Sequence, residues 1–172
     1  MAAITGFFHG GVTVLDMDAS LRFYVDGLGL EAHIDRVIDA PYLKGEAGVL
    51  GLGFDDIRVV YLRIPNVTGF VELLEYRGVE RLSAAARPCD YGAGHFCFYV
   101  DDVDAMHVRL VKMGYRARSA VPRAITSGPN EGARSVYMRD PDGYPIELFQ
   151  KPLGADRPAG DGESGDGGRG DG

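Results

Sequence analysis

The sequence is poor in several features that mark particular classes of protein. Its two cysteines, Cys89 and Cys97, are too few for a disulfide framework or a cysteine-based zinc site. No apolar run approaches the roughly 20 residues of a membrane-spanning helix, and residues 1–8 lack the pattern of a signal peptide. Basic residues number 18 against 25 acidic ones, and this net charge of −7 argues against a general nucleic-acid binder. We therefore expect a cytoplasmic protein with reduced thiols, bound neither to nucleic acid nor to a membrane.

What the sequence does contain is enough for one folded domain. The chain has 172 residues, of which 45% are hydrophobic and 10% aromatic, and such a chain can bury a sizeable core. Residues 154–172 differ from the rest, because they are mostly glycine and charged residues with almost nothing to bury. We expect a domain over residues 1–153 and a disordered tail after it.

An internal repeat divides the domain into two modules. His95 lies 86 residues after His9, and each histidine opens a segment rich in β-forming residues that leads into an acidic helix start. The ends of the modules also match, since Glu72 and Glu147 each sit between two aliphatic residues. Each half follows the pattern β-α-β-β-β, at about residues 5–78 and 92–152. A period this long excludes a solenoid and predicts two copies of one module packed side by side in an α+β fold.

Turn and periodicity signals place the individual elements. In the first module we expect a helix between Asp16 and Gly29, and in the second a helix between Asp101 and Gly114. The expected strands cover residues 5–15, 30–38, 48–54, 57–64 and 70–76, then 94–100, 115–121, 133–138 and 144–150.

Four side chains at equivalent places in the two modules are candidate metal ligands: His9, Glu72, His95 and Glu147. Strand alternation directs them away from the apolar faces, so they converge if the modules pair about a pseudo-twofold axis. Two imidazoles and two carboxylates suit a divalent ion such as Ni, Co, Mn, Fe or Zn, with room for a substrate that presents two neighbouring oxygens. A single histidine or glutamate in a strand is more often structural, but the coincidence in both modules favours ligands.

Several short motifs carry a resemblance to a known family. They are Val12-Thr13-Val14, Ser20-Leu21-Arg22-Phe23-Tyr24, Leu28-Gly29-Leu30, Val71-Glu72-Leu73, Gly94-His95, Val100-Asp101-Asp102, Asp140-Pro141-Asp142-Gly143 and Ile146-Glu147-Leu148. Over residues 7–151 the sequence resembles the vicinal oxygen chelate superfamily, which includes glyoxalase I, methylmalonyl-CoA epimerase, extradiol dioxygenases, and fosfomycin-resistance and bleomycin-binding proteins. The resemblance implies two βαβββ modules forming an open, curved mixed sheet with a metal site in its concavity, and a homodimer.

The resemblance also implies a chemistry. The family's ligand positions fall on His9, Glu72, His95 and Glu147, a complete set that disfavours the bleomycin-binding members. It further implies that Glu72 and Glu147 act as bases, and we expect Glu147, which follows the turn at residues 140–143, to move more easily off the metal. The sequence thus predicts a metal-dependent isomerase or epimerase acting through an enediolate on a small α-hydroxy-ketone, such as a cyclitol or sugar-like ketone. A glyoxalase I-type lyase, a non-haem iron dioxygenase and a non-catalytic metabolite-binding protein are the alternatives.

Other residues receive secondary interpretations. Tyr61, Tyr99 and Tyr137 are candidate pocket walls, and the loop at residues 127–132 is long enough for a lid. His107 lies on the apolar stripe of the second expected helix, so we expect it to pack rather than to bind. Val60 stands near the position of the additional glutamate of methylmalonyl-CoA epimerase, which counts against a CoA-thioester substrate.

Overall fold

The structure is a computed structural model that describes residues 2–83, 86–152 and 154. The tail expected at residues 154–172 therefore lies outside the described residues, apart from Gly154. Within the described part of the chain, no helix is long and apolar enough to cross a membrane.

Two modules of the same kind follow one another along the chain. The first consists of β1 (His9–Thr13), α1 (Met17–Leu21) with a π-helical continuation (Arg22–Gly27), β2 (Glu31–Ile38), β3 (Asp56–Arg63) and β4 (Phe70–Arg77). The second consists of β5 (Phe96–Tyr99), α2 (Val103–Lys112), β6 (Arg123–Ala124), β7 (Arg134–Arg139) and β8 (Pro145–Gln150). A short 3-10 helix (Pro41–Leu43) lies in the loop between β2 and β3.

Each module forms its own four-stranded sheet, with strand orders β1-β4-β3-β2 and β5-β8-β7-β6. In both sheets the first strand of the module pairs in parallel with the last, and the other neighbours are antiparallel. The predicted α+β class and the two βαβββ modules are confirmed. The described strands form two hydrogen-bonded sheets, whereas the sequence predicted one curved sheet.

Both helices begin where the acidic signals predicted. The side chain of Asp16 accepts a hydrogen bond from the amide of Ala19 at 2.8 Å, and that of Asp102 accepts one from Ala105 at 2.9 Å. These N-caps satisfy backbone donors that the first helical turn leaves free. His107 is 8% exposed on the inner side of α2, so its expected packing role is confirmed.

Two of the expected strands are wrong. Residues 48–54 belong to the loop between β2 and β3, in which Gly45 and Gly51 adopt positive φ angles that suit turns. The apolar residues of this loop do not extend the sheet, and Phe54 instead packs on one face of β3 in a separate small core. The strand expected at residues 115–121 shrinks to one bridge, Ala117 with Met138, and the next sheet strand is the short β6.

One hydrophobic core joins the two modules. Its buried members include Phe23, Tyr24 and Leu73 from the first module and Leu110 and Leu148 from the second. The rings of Phe23 and Tyr115 meet edge to face with centroids 4.7 Å apart. The helix-covered faces of both sheets are therefore turned inward, and their other faces point away from the shared core.

A buried hydrogen bond ties the first helix to the second module. The hydroxyl of Tyr24 donates to Asp140 Oδ2 at 3.0 Å, and Tyr24 and Asp140 are 0% and 4% exposed. Backbone amides of Asp142 and Tyr144 donate to the other carboxylate oxygen. Burial raises the pKa of Asp140 above its usual value. The turn that follows β7 is thus held by a helix from the other half of the chain.

We expect Tyr24→Phe to lower the free energy of unfolding by about 1–3 kcal/mol, because it leaves a buried acceptor without its donor. Because burial raises the pKa of Asp140, protonation at acid pH removes the charged acceptor, and the penalty should shrink as pH falls. Urea denaturation at several pH values measures this, with Tyr91→Phe at a fully exposed position as the control. Equal stability of Tyr24→Phe and the unmodified chain would contradict the role of this bond.

Candidate metal centre

The outward face of the first sheet carries His9, Tyr61 and Glu72, which together are called the first half-site here. Glu72 on β4 pairs in register with Gly11 on β1, two residues after His9. Strand alternation places Val12 and Val71 in the core and His9 and Glu72 on the opposite face. His9 Nε2 lies 3.2 Å from Glu72 Oε2, and the two side chains are 32% and 12% exposed.

The second half-site, formed by His95, Tyr137 and Glu147, repeats this arrangement. His95 stands immediately before β5, and Glu147 on β8 pairs in register with Cys97. His95 Nε2 lies 3.2 Å from Glu147 Oε2, the same separation as in the first half-site. The repeat seen in the sequence therefore extends to the geometry of the side chains.

A tyrosine accompanies each histidine–glutamate pair. Tyr61 faces Glu72 across the antiparallel β3–β4 pair, and Tyr137 faces Glu147 across β7–β8. The hydroxyl of Tyr137 donates to Glu147 Oε2 at 2.9 Å and lies 3.2 Å from His95 Nε2. Burial, together with hydrogen bonding to the glutamate, raises the pKa of both tyrosines to about 12. Both hydroxyls are therefore protonated donors at neutral pH.

The second half-site contains two further donors. Ser135, which shares the outward face with Tyr137, donates to Glu147 Oε1 at 2.7 Å. Burial and the neighbouring charge of Glu147 raise the pKa of Cys97 to about 11, so its thiol stays protonated. Both cysteines are free thiols, as expected. Ser135 was missed in the sequence analysis, although alternation from Tyr137 places it on the same face.

The two pairs fit the donor set of a divalent ion. Metal bonds of about 2.0–2.2 Å to histidine nitrogen and carboxylate oxygen, at a right angle, place the two donor atoms about 3 Å apart. The observed separation of 3.2 Å in each half-site matches two adjacent coordination positions. His9 Nδ1 is buried without a hydrogen-bond partner, so the polar contact of this ring is that of Nε2 with Glu72, and Phe8 and Tyr61 pack against the ring.

The structure brings the four predicted ligands together as two pairs. The sequence left open whether the four ligands meet inside one chain or across a dimer. Within the described ranges, no three His, Cys, Asp or Glu side chains lie close enough to hold one ion, so the four do not converge inside one chain. The reason is that the modules pack through the helix-covered faces, and each half-site lies on the opposite face of its sheet. The metal-ligand roles of the four residues remain a prediction.

The sequence also named three tyrosines and one loop as candidates. Tyr99 packs edge to face on Phe149, with the ammonium of Lys151 above its ring, and it is 72% exposed. Tyr61 and Tyr137, in contrast, belong to the half-sites, with ring centroids 5.7 Å from His9 and 5.2 Å from His95, and their role as pocket walls remains a prediction. The loop at residues 127–132 is exposed, and its lid role remains a prediction.

Comparison with known proteins shows the family and the fold of the chain. The family model described as "Glyoxalase/Bleomycin resistance protein/Dioxygenase superfamily" matches residues 6–148. The chain belongs to this superfamily. A superfamily protein of solved structure from Bacillus cereus shares the fold at a TM-score of 0.74 and 20% identity, over 88% of this chain and 97% of that one.

Two of the curated relatives that carry names of enzymes are each 34% identical to this chain. A protein from an Actinomyces species named 2-epi-5-epi-valiolone epimerase is 34% identical over 151 residues, 86% of this chain and 80% of the relative. A probable lactoylglutathione lyase from Arabidopsis thaliana is 34% identical over 145 residues, 83% of this chain but 35% of the relative. Members of the superfamily commonly use a divalent metal.

Replacing either histidine should weaken metal binding. We expect His9→Ala and His95→Ala each to reduce the affinity for Ni²⁺ or Zn²⁺ more than about 100-fold, since changes around a ligand alone cost 10–100-fold. Competition with a fluorescent chelator measures the affinity. His107→Ala is the matched control, because it removes a histidine from α2 and should lower stability without changing metal affinity. Equal affinity in all three variants would refute the ligand assignment.

Proposed function

We propose that the chain is a metal-dependent isomerase or epimerase that moves a proton next to a carbonyl in a small α-hydroxy-ketone of the cyclitol or sugar-like kind. The observation that carries the proposal is the identical histidine–glutamate separation of 3.2 Å in both half-sites, each with a tyrosine paired in register with the glutamate. Enzymatic activity of the isomerase or lyase kind is supported by the named relatives. The epimerase is the relative of which the chain covers the larger share.

The roles of the residues follow from their chemistry. His9, Glu72, His95 and Glu147 would hold one divalent ion, which when bound supplies Lewis-acid polarisation of two neighbouring substrate oxygens. A glutamate oxygen takes the proton from the substrate carbon and returns it, so that an enediolate forms and then collapses. Tyr137 orients Glu147 by a hydrogen bond, and Tyr61 stands in the equivalent place beside Glu72.

The complete site is proposed to form between two copies of the chain. Each half-site offers one histidine and one glutamate on an outward sheet face, and four ligands require two such faces opposite each other. An exposed aromatic residue borders the first half-site: Phe8 is 61% exposed, and its ring centroid lies 4.7 Å from that of His9. In a twofold homodimer, the first half-site of each chain meets the second half-site of its partner, and two sites result.

A glyoxalase I-type lyase is the second candidate, because of the 34% identity to the Arabidopsis protein. Such a lyase uses the same proton transfer on a hemithioacetal, so the two candidates differ in substrate and not in the residues that act. Iron-dependent dioxygenation and binding without reaction are the further alternatives, and solvent exchange distinguishes both of them from proton transfer.

Solvent exchange tests the chemistry directly. In D₂O, we expect the metal-loaded chain to incorporate deuterium at the α-carbon of 2-epi-5-epi-valiolone, measured by loss of the proton NMR signal. The hemithioacetal of methylglyoxal and glutathione is the parallel substrate for the lyase candidate. The His9→Ala/His95→Ala double variant is the control and should show no exchange. Binding of either compound without exchange, or oxygen uptake in its place, would contradict the proposal.

Mixing two inactive variants tests the shared site. We expect His9→Ala and His95→Ala to be inactive alone, and a mixture allowed to exchange subunits to regain up to half of the activity per mixed dimer. This follows because one of its two sites then contains an intact first half-site from one chain and an intact second half-site from the other. Native mass spectrometry measures the fraction of mixed dimers. A site formed inside one chain would give no recovery.

A further inference from the structure

The two half-sites follow one plan but hold their glutamates differently. Glu147 has both carboxylate oxygens engaged, since Oε1 accepts from Ser135 Oγ at 2.7 Å and Oε2 accepts from the hydroxyl of Tyr137 at 2.9 Å. The thiol of Cys97 lies beside this carboxylate, whose charge helps to raise the pKa of the thiol. A carboxylate tied at both oxygens is confined to one orientation.

Glu72 lacks the counterparts of two of these three side chains. By strand register, Gly11 stands where the second module has Cys97, and Val59 stands where it has Ser135. Val59 is 4% exposed and has no side-chain donor. Gly11 has no side chain, and a Cβ there would lie 3.4 Å from Glu72 Oε2. Of the three side chains beside Glu147, the tyrosine alone has an equivalent at Glu72, namely Tyr61, which pairs with Glu72 in register.

We propose that Ser135 is a positioning residue that fixes Glu147 as a permanent metal ligand, and that Glu72 is the carboxylate that carries the substrate proton. This inference rests on the proposed function. It reverses the expectation from sequence that Glu147 moves more easily because it follows a turn. A carboxylate must reorient to reach a substrate proton. Glu147 would first have to break its hydrogen bonds to Ser135 and Tyr137, whereas Glu72 has no counterpart of Ser135.

The proton transfer is balanced within the site. The proton leaves the substrate α-carbon for a Glu72 oxygen, and the electron pair of the C–H bond stays on the substrate as the enediolate. The same proton, or one exchanged with solvent, then returns to carbon while the carboxylate is regenerated. A Cβ at position 11 would lie 3.4 Å from Glu72 Oε2 and 3.6 Å from Leu74 Cδ1, so the glycine keeps a side chain out of the space beside the Glu72 carboxylate.

The role of Ser135 is tested on the full chain without substrate. We expect Ser135→Ala to weaken Ni²⁺ affinity about 10-fold or more, and Ser135→Thr, which keeps a hydroxyl, to restore it to within about 3-fold. Ser119→Ala is the matched control, because the Ser119 hydroxyl donates to the carbonyl of Val121 and not to a side chain of either half-site. Competition with a chromogenic chelator gives the affinity, and melting of the metal-free proteins shows whether folding has changed. Unchanged affinity in Ser135→Ala, or no recovery in Ser135→Thr, overturns the positioning role.

The division between the glutamates is tested by α-carbon exchange of 2-epi-5-epi-valiolone at saturating Ni²⁺. We expect Glu72→Gln to lower kcat about 100-fold or more with a smaller change in KM, since proton transfer contributes 10²–10⁴-fold. Glu147→Gln should mainly weaken metal binding and regain exchange to within about 10-fold once metal saturates. The opposite order of the two variants overturns the assignment. Absence of exchange in the unmodified chain, with both test compounds, overturns the proposed function and the role of Glu72, while the metal-affinity experiment still decides the role of Ser135.

Discussion

The parallel pairing of the first and last strands in each module is the constraint on which the site depends. It sets Gly11 opposite Glu72 and Cys97 opposite Glu147, and so brings a histidine from one strand to a glutamate on its neighbour. Because side chains alternate along a strand, a slip of one residue would turn either glutamate into the core and a buried aliphatic residue outward. The aliphatic residues on both sides of each glutamate, Val71 and Leu73 or Ile146 and Leu148, are fully buried and prevent that slip.

Local signals in the sequence account for much of the fold. The helix starts at Asp16 and Asp102 were predictable because a capping side chain acts within three residues. The loop at residues 48–54 could not be predicted in this way. Its leucines are typical of a strand, its glycines favour turns, and the packing of Phe54 on β3 decides for the loop. The strand expected at residues 115–121 shrank for a comparable reason, since its one bridge, at Ala117, depends on how β7 is placed.

The candidate site shows the same division between local and tertiary information. Each histidine–glutamate pair could be predicted from the repeat, because both members belong to one module. The separation of the pairs could not, because it depends on which faces the modules use to pack, and rings such as those of Phe23 and Tyr115 decide this through contacts between modules. Ser135 lay within reach of strand alternation, but its bond to Glu147 required the register between β7 and β8.

The shared core that turns both half-sites outward has a consequence for the proposed dimer. If an ion is coordinated by ligands from two chains, coordination and subunit association become one linked equilibrium. Dilution of the protein then lowers its apparent affinity for the metal, and a chelator promotes dissociation into single chains. In a twofold dimer all four half-sites are paired, so no half-site remains to bind a third chain, and the metal ions link the two chains.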